Sequence, residues 1–418
     1  MMNRVRSQSF LFAIGTAVLA PLLVTCTESS SDPPVATSVG AVANVLSHTS
    51  TFTTLFKSPL VIEGLTADAD GNLYTAARGG TPTCPVFRVS AGGGPAAVVG
   101  TLPAPCRSLG LAFDRHGDLF VSDGIDKIYK LTPDSTAPPA GVVFASGVPG
   151  NGVAFDRAGN LWVTDGATAQ GRVSRIAADG TVTEMFRVPP LANLVNAVAP
   201  PGGPEGVIQG GVGRDARALP PGSISVAPDA RAAADILGSV AVVANGIAFS
   251  RDGRTAFIAD SARGAIWKVD LDRDGIPSSS VGCDTTFTPN TLCLDNVFVQ
   301  HPTLEGIDGI ALDEIGNIWA VANERNAVVV VTPFGRAHEV FRNAPDATTK
   351  LRNAGPLEFP ASPFLVGHTL CITQSDTARR DNFPNRGGEV GPAPATEQAK
   401  ISCADARLPF AGLALPIH

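Results

Sequence analysis

One sixteen-residue pattern recurs along this chain and narrows the possible folds more than any other feature. In Asn245-Gly-Ile-Ala-Phe-Ser-Arg-Asp-Gly-Arg-Thr-Ala-Phe-Ile-Ala-Asp260, short apolar runs flank a polar turn. That arrangement reads as a tight β-hairpin, because Gly253 can take the positive φ the turn demands. The same frame returns at Glu63-Gly64 to Tyr74, Leu109-Gly110 to Asp123, Asn151-Gly152 to Asp165 and Asp308-Gly309 to Val321. A degenerate copy runs from Asn196 to Gln209. The openings at 63, 109, 151, 196, 245 and 308 are separated by 46, 42, 45, 49 and 63 residues. A four-stranded unit repeating at about 40–50 residues is the mark of a β-propeller. Each unit alone would leave an apolar face uncovered, so several must close into a ring. The expected fold is all-β, a propeller with seven repeat phases once a further unit after Pro356 is counted; six blades is the alternative.

The strands around these hairpins can be read in outline. Val86–Val89, Lys127–Leu131, Arg172–Ile176, Ala265–Val269 and Ala327–Val331 are alternating or apolar third strands. Thr51–Phe56 reads as an N-terminal strand lent to the last blade as a clasp, and residues 377–397 as a polar insertion late in the propeller.

The N-terminus has its own logic. Arg4 and Arg6 precede a mostly apolar run of 15 residues, Phe10 to Val24, and Cys26 follows. Such a run is short for a membrane span and suits an export signal. Residues 1–26 resemble a bacterial lipoprotein signal with Cys26 as the lipidated residue; plain secretion is the alternative. Residues 27–50 read as a flexible tether and 51–418 as a single propeller domain. The chain is thus expected in the periplasm or on the outer cell surface, held to a membrane by a lipid anchor only. The other six cysteines form an even set, which in an exported chain reads as disulfides. Locality favours Cys84–Cys106, Cys283–Cys293 and Cys371–Cys403 among the fifteen pairings that six cysteines allow. A formal charge of −7 argues against a nucleic-acid partner.

In a propeller the innermost strands line the axis, so their opening residues gather there. Five of the six openings carry side-chain oxygens: Glu63, Asn151, Asn196, Asn245 and Asp308. Two carboxylates and three amides in one small space are costly to bury without a partner. A divalent cation resolves that cost, and a donor set of hard oxygens without His or Cys favours Ca²⁺. Any single Asn-Gly reads more readily as a turn, and the Asp at 68, 114, 156 and 313 reads as turn chemistry. Asp123, Asp165 and Asp260 read as loop caps, and the histidines, His301 and His368 included, show no motif spacing.

These motifs resemble the senescence-marker-protein/gluconolactonase family of calcium propellers, related to diisopropylfluorophosphatase and paraoxonase. The resemblance spans roughly Leu60 to Arg342 and is carried by Glu63-Gly64, Asn245 to Gly253 and Asp308 to Ala320. It implies six blades, Glu63, Asn245 and Asp308 as Ca²⁺ ligands, and Asn151 or Asn196 as the further Asn. It also implies a metal-dependent hydrolase that opens a lactone or similar ester, a small-molecule substrate, with Asp308 as base or nucleophile. The alternative function is a non-catalytic exported binding propeller with a structural Ca²⁺; a lyase or organophosphate hydrolase on the same site is a third. Arg214 and Asp215 are expected in a loop over the site.

Overall fold

The computed structural model describes Val42, Thr168 and residues 45–166, 170–190, 242–283, 287–377, 380–382 and 399–417. Among the described residues, six antiparallel sheets, mostly four-stranded, make up the fold. Blade one comprises Val61–Ile62 with Thr66–Ala67, Leu73–Arg78, Thr83–Val89 and Ala97–Pro103. Blade two comprises Leu111–Phe113, Leu119–Ser122, Lys127–Leu131 and Val142–Ser146. Blade three comprises Val153–Phe155, Leu161–Thr164, Arg172–Ile176 and Val182–Arg187. Ile247–Phe249, Thr255–Asp260, Ala265–Asp270 and Val297–Gln300 form blade four. Ile307–Leu312, Ile318–Ala322, Ala327–Val331 and Ala337–Arg342 form blade five. Pro360–Val366, Thr369–Gln374 and Ala399–Ala404 belong to blade six, whose outermost strand is Phe52–Ser58, paired antiparallel to Ala399–Ala404. The clasp expected from the N-terminal strand is therefore present, and Asp405 secures it by accepting hydrogen bonds from the Thr51 and Thr53 hydroxyls.

The hairpins repeat because one piece of side-chain chemistry repeats. In blade three, Asp156 accepts hydrogen bonds from the Asn160 amide, the Asn160 side chain and the Trp162 indole, at 2.8 to 2.9 Å. Asp313 makes the corresponding bonds to Asn317 and Trp319, and Asp68 to Asn72 and the Tyr74 hydroxyl. One carboxylate thus closes the turn and satisfies a polar group on a buried ring, leaving no orphaned donor at the hairpin. Gly71, Gly159 and Gly316 turn these hairpins with φ of 80°, 87° and 87°. All three tryptophans are fully buried.

The core lies between blades. Six separate apolar clusters occur, one at each interface between neighbouring blades. Trp162 and Phe186 of blade three meet Phe249 and Trp267 of blade four, for instance, and Trp319 and Val328 of blade five meet Leu370 and Ile372 of blade six. Six interfaces close a ring of six, which corrects the count of seven phases. Blades three and four adjoin directly: a Cβ placed at Gly152 would lie 2.5 Å from Asn245 O, and the Thr164 hydroxyl donates to that carbonyl. The phase counted from Asn196 therefore inserts no blade between them; that residue lies outside those described. The cysteines pair as Cys84–Cys106, Cys283–Cys293 and Cys371–Cys403. Among the described residues no helix is long and apolar enough to cross a membrane. Cys26 and most of the 377–397 insertion lie outside the described residues.

Candidate functional site

The repeated Gly in second position of each motif has a different task from the turn glycines. A Cβ at Gly64 would fall 2.0 Å from Leu109 O, and one at Gly110 2.3 Å from Asn151 O. Those at Gly246 and Gly309 would fall 2.6 Å from Asp308 O and 2.8 Å from Ala361 O. The Thr373 hydroxyl of blade six donates to Glu63 O and completes the circuit. Neighbouring inner strands thus touch backbone to backbone, too closely for any side chain. Asn151-Gly152 and Asn245-Gly246 are the entry points of inner strands, as their register in the repeat predicts, and neither glycine has the positive φ of a tight turn.

These contacts fix the order around the axis as Glu63, Leu109, Asn151, Asn245, Asp308, Ala361. Asn151, Asn245 and Asp308 occupy three consecutive blades, and Glu63 stands opposite Asn245, flanked by apolar Leu109 and Ala361. With six blades, Asn151 opens the blade that adjoins that of Asn245. All four oxygen-bearing residues are at least nine-tenths buried. Arg214 and Asp215 lie outside the described residues.

Each opening residue meets the end of its blade's second strand, 15 or 16 residues on. Glu63 is ion-paired with Arg78. Asn245 Nδ2 donates to Ser261 Oγ at 3.0 Å, which leaves its Oδ1 as the acceptor. Asp308 Oδ2 accepts from Asn323 Nδ2 at 3.0 Å. At Leu109 and Asn151 the corresponding residues are Gly124 and Gly166, where a Cβ would fall 2.8 Å from Leu109 Cδ1 and 2.7 Å from Asn151 Nδ2. Arg78, Ser261 and Asn323 were not picked out from the sequence. The shared spacing of 15 or 16 residues is the signal that would have found them, once hairpin strand lengths are known to match.

The donor set fits a hard cation: two carboxylates and two carboxamides offer only oxygens. Among the described residues no group of three His, Cys, Asp or Glu side chains is placed to hold a metal ion. A cation at this ring therefore depends on the amides for half of its side-chain ligands. Asn323 Oδ1, buried beside Asp308, has no hydrogen-bond partner, as befits a place where a further polar group is accepted.

Beyond the ring the axis is apolar. A cavity of about 120 Å³ runs along the inner strands, lined by Leu111, Phe113, Phe155, Phe249 and Phe364 among others. The C-terminal segment lies at its far end: Leu413 N donates to Leu312 O at 2.8 Å, and Leu415 and Pro416 line the space. The caps behave as expected. Asp123 Oδ1 accepts from the amides of Ile125, Asp126 and Lys127, and Asp165 binds Thr168 and Arg172. Asp260 holds the buried Arg263, whose other Nη donates to Pro189 O at 2.6 Å. Burial pushes the carboxyls of Asp165 and Asp260 above the ordinary range, against the pull of Arg172 and Arg263. His301 caps a short helical turn through Thr303, and His368 bonds Leu408 O, so neither is at the ring.

Residues 211–356 match the model of the SMP-30/Gluconolactonase/LRE-like region. The motifs at Asn245 and Asp308 fall inside that match; Glu63 and Asn151 precede it. Three solved structures share the fold. A regucalcin described as a calcium-binding protein, from Agrobacterium tumefaciens, is 17% identical over 87% of this chain and 95% of its own, with a TM-score of 0.54. A luciferin-regenerating enzyme is 14% identical over 87% and 98%, with a TM-score of 0.53. A putative gluconolactonase is 15% identical over 88% and 96%, with a TM-score of 0.51. No curated protein matches the sequence. At such identities these similarities establish the propeller.

Proposed function

We propose that this chain is an exported, calcium-dependent hydrolase that opens lactones or similar cyclic esters at the ring of inner-strand openings. The observation that supports this most strongly is the set Asn151, Asn245 and Asp308 on consecutive blades, with Glu63 opposite Asn245. Glu63, Asn151, Asn245 and Asp308 would hold the ion, with Asn151 in place of Asn196. The family match and the fold neighbours, a calcium-binding regucalcin and a putative gluconolactonase among them, agree with this reading. Calcium bound there supplies polarisation of the ester carbonyl and charge for the developing oxyanion. Asp308, its Oδ2 steadied by Asn323, would act as the base for the attacking water. Asn245 would present its Oδ1 to the ion, its amide being fixed on Ser261. Export is part of the proposal, with residues 1–26 as the signal, Cys26 as the lipid anchor and 27–50 as a tether; three disulfides are compatible with it.

A panel of lactones assayed with calcium and with chelator tests the reading. Turnover should require calcium and fall by at least about 100-fold in Asp308→Asn, the usual size of a general-base contribution. Chelation that lowers Tm without turnover of any lactone would make the chain a binding propeller instead.

A further inference from the structure

The two carboxylates of the ring meet different residues at the ends of their blades' second strands. On blades one to five, the residue that meets the opening side chain is Arg78, Gly124, Gly166, Ser261 and Asn323 in turn. Four of these are uncharged. Asp308 Oδ2 accepts from the Asn323 amide, which fixes its orientation. Glu63 is steadied by a guanidinium, which neutralises its charge. Arg78 is itself well anchored. It pairs with Val61 in blade one and bridges to Arg107, and the next residue, Gly79, donates to Cys106 O beside the Cys84–Cys106 disulfide. The Glu63 and Arg78 side chains are 10% and 16% exposed, so solvent screens the pair only weakly.

Resting on the reading of this ring as a hard-cation site, we propose that Arg78 competes with the cation for Glu63. With the pair intact, Glu63, Asp308 and Arg78 sum to one negative charge, half of what a divalent ion needs. Bringing Glu63 into the ligand shell means separating it from Arg78. The protein therefore trades affinity for a site in which Glu63 is the exchangeable ligand and Asn151, Asn245 and Asp308 are the standing ones. Loss of a residue that merely supports a ligand weakens metal binding, by about 10–100-fold. Loss of a competitor strengthens it, so the sign of the effect decides the matter.

Calcium binding by isothermal titration calorimetry on the full chain, with no substrate present, reads that sign. Arg78→Gln should bind calcium at least about tenfold more tightly than the wild type, equivalent to about 1.4 kcal/mol. The gain should vanish in a Glu63→Gln background, because it acts through that carboxylate. Should Arg78→Gln fail to fold, judged by its Tm in chelator, Arg78→Lys serves: it keeps the charge on a compact, more readily hydrated ammonium that lacks the fork. It should then bind more tightly than wild type by a smaller factor. Unchanged or weaker binding by the folded variant overturns the proposal and makes Arg78 a support for Glu63. Asp308→Asn, run alongside, separates this from the underlying reading. If it abolishes binding while Arg78→Gln weakens it, the cation site stands and the competition falls. If wild type, Arg78→Gln and Asp308→Asn all bind no calcium, both fall.

Discussion

Gly246→Ala should damage the ring without touching any oxygen donor. Its new methyl would lie 2.6 Å from Asp308 O, 2.9 Å from Gly309 Cα and 2.9 Å from Ile310 N. Carbon atoms settle about 3.5–4.0 Å from their neighbours, so the inner strand of blade five must retreat by roughly 1 Å. Overpacking of this kind costs about 1–3 kcal/mol. In a domain of about 370 residues each kcal/mol lowers Tm by about 1.3 °C, so a loss of roughly 1–4 °C is expected. The atoms forced to move belong to Asp308 and its neighbours, so the Tm increment produced by calcium should shrink as well. Gly92→Ala is the control: nothing lies within 4 Å of its Cβ position, and it should stay within about 0.5 kcal/mol of wild type. Differential scanning calorimetry with and without calcium gives both quantities. A Gly246→Ala protein with unchanged Tm and an undiminished calcium increment would refute the claim that the inner strands meet backbone to backbone.

Two further outcomes follow from buried groups. The chain has two tyrosines: Tyr74 is pushed up to about 12 by burial and by its bond to Asp68, and Tyr129 is raised by burial and by Asp123. The folded state favours the neutral phenol, so this stability is full below the unfolded value of about 10 and is lost as pH rises toward 12. Absorbance at 295 nm should stay flat through pH 10 and step up on unfolding; a reversible midpoint near 10 in the folded protein would contradict it. In blade six, Lys400 and Glu358 pair at 2.9 Å with almost no exposure. Lys400→Met should cost about 3–5 kcal/mol by stranding the carboxylate, and adding Glu358→Leu should recover most of that in urea unfolding.

Much of the fold was legible because its determinants are local. The Asp156, Asn160 and Trp162 unit spans seven residues, so turn, strand pair and buried ring are written together. The clasp and the disulfides were legible for the same reason: an isolated strand and neighbouring cysteines leave few partners. The number of blades was not, because phase counting measures distance along the chain, whereas blade adjacency is set across it. Asn196-Ala-Val-Ala looks like an opening, yet the contact of Gly152 with Asn245 joins blades three and four. The oxygen donors could be read from their register. Their partners could not, since Arg78, Ser261 and Asn323 share no residue type, only a place at the end of the second strand.

Anomalous diffraction from crystals grown with a heavier calcium mimic such as a lanthanide tests the central claim most directly. The account predicts one strong peak on the propeller axis, with oxygens of Glu63, Asn151, Asn245 and Asp308 within about 2.6 Å of it. A peak elsewhere on the molecule, or none at the ring at saturating concentration, would contradict it.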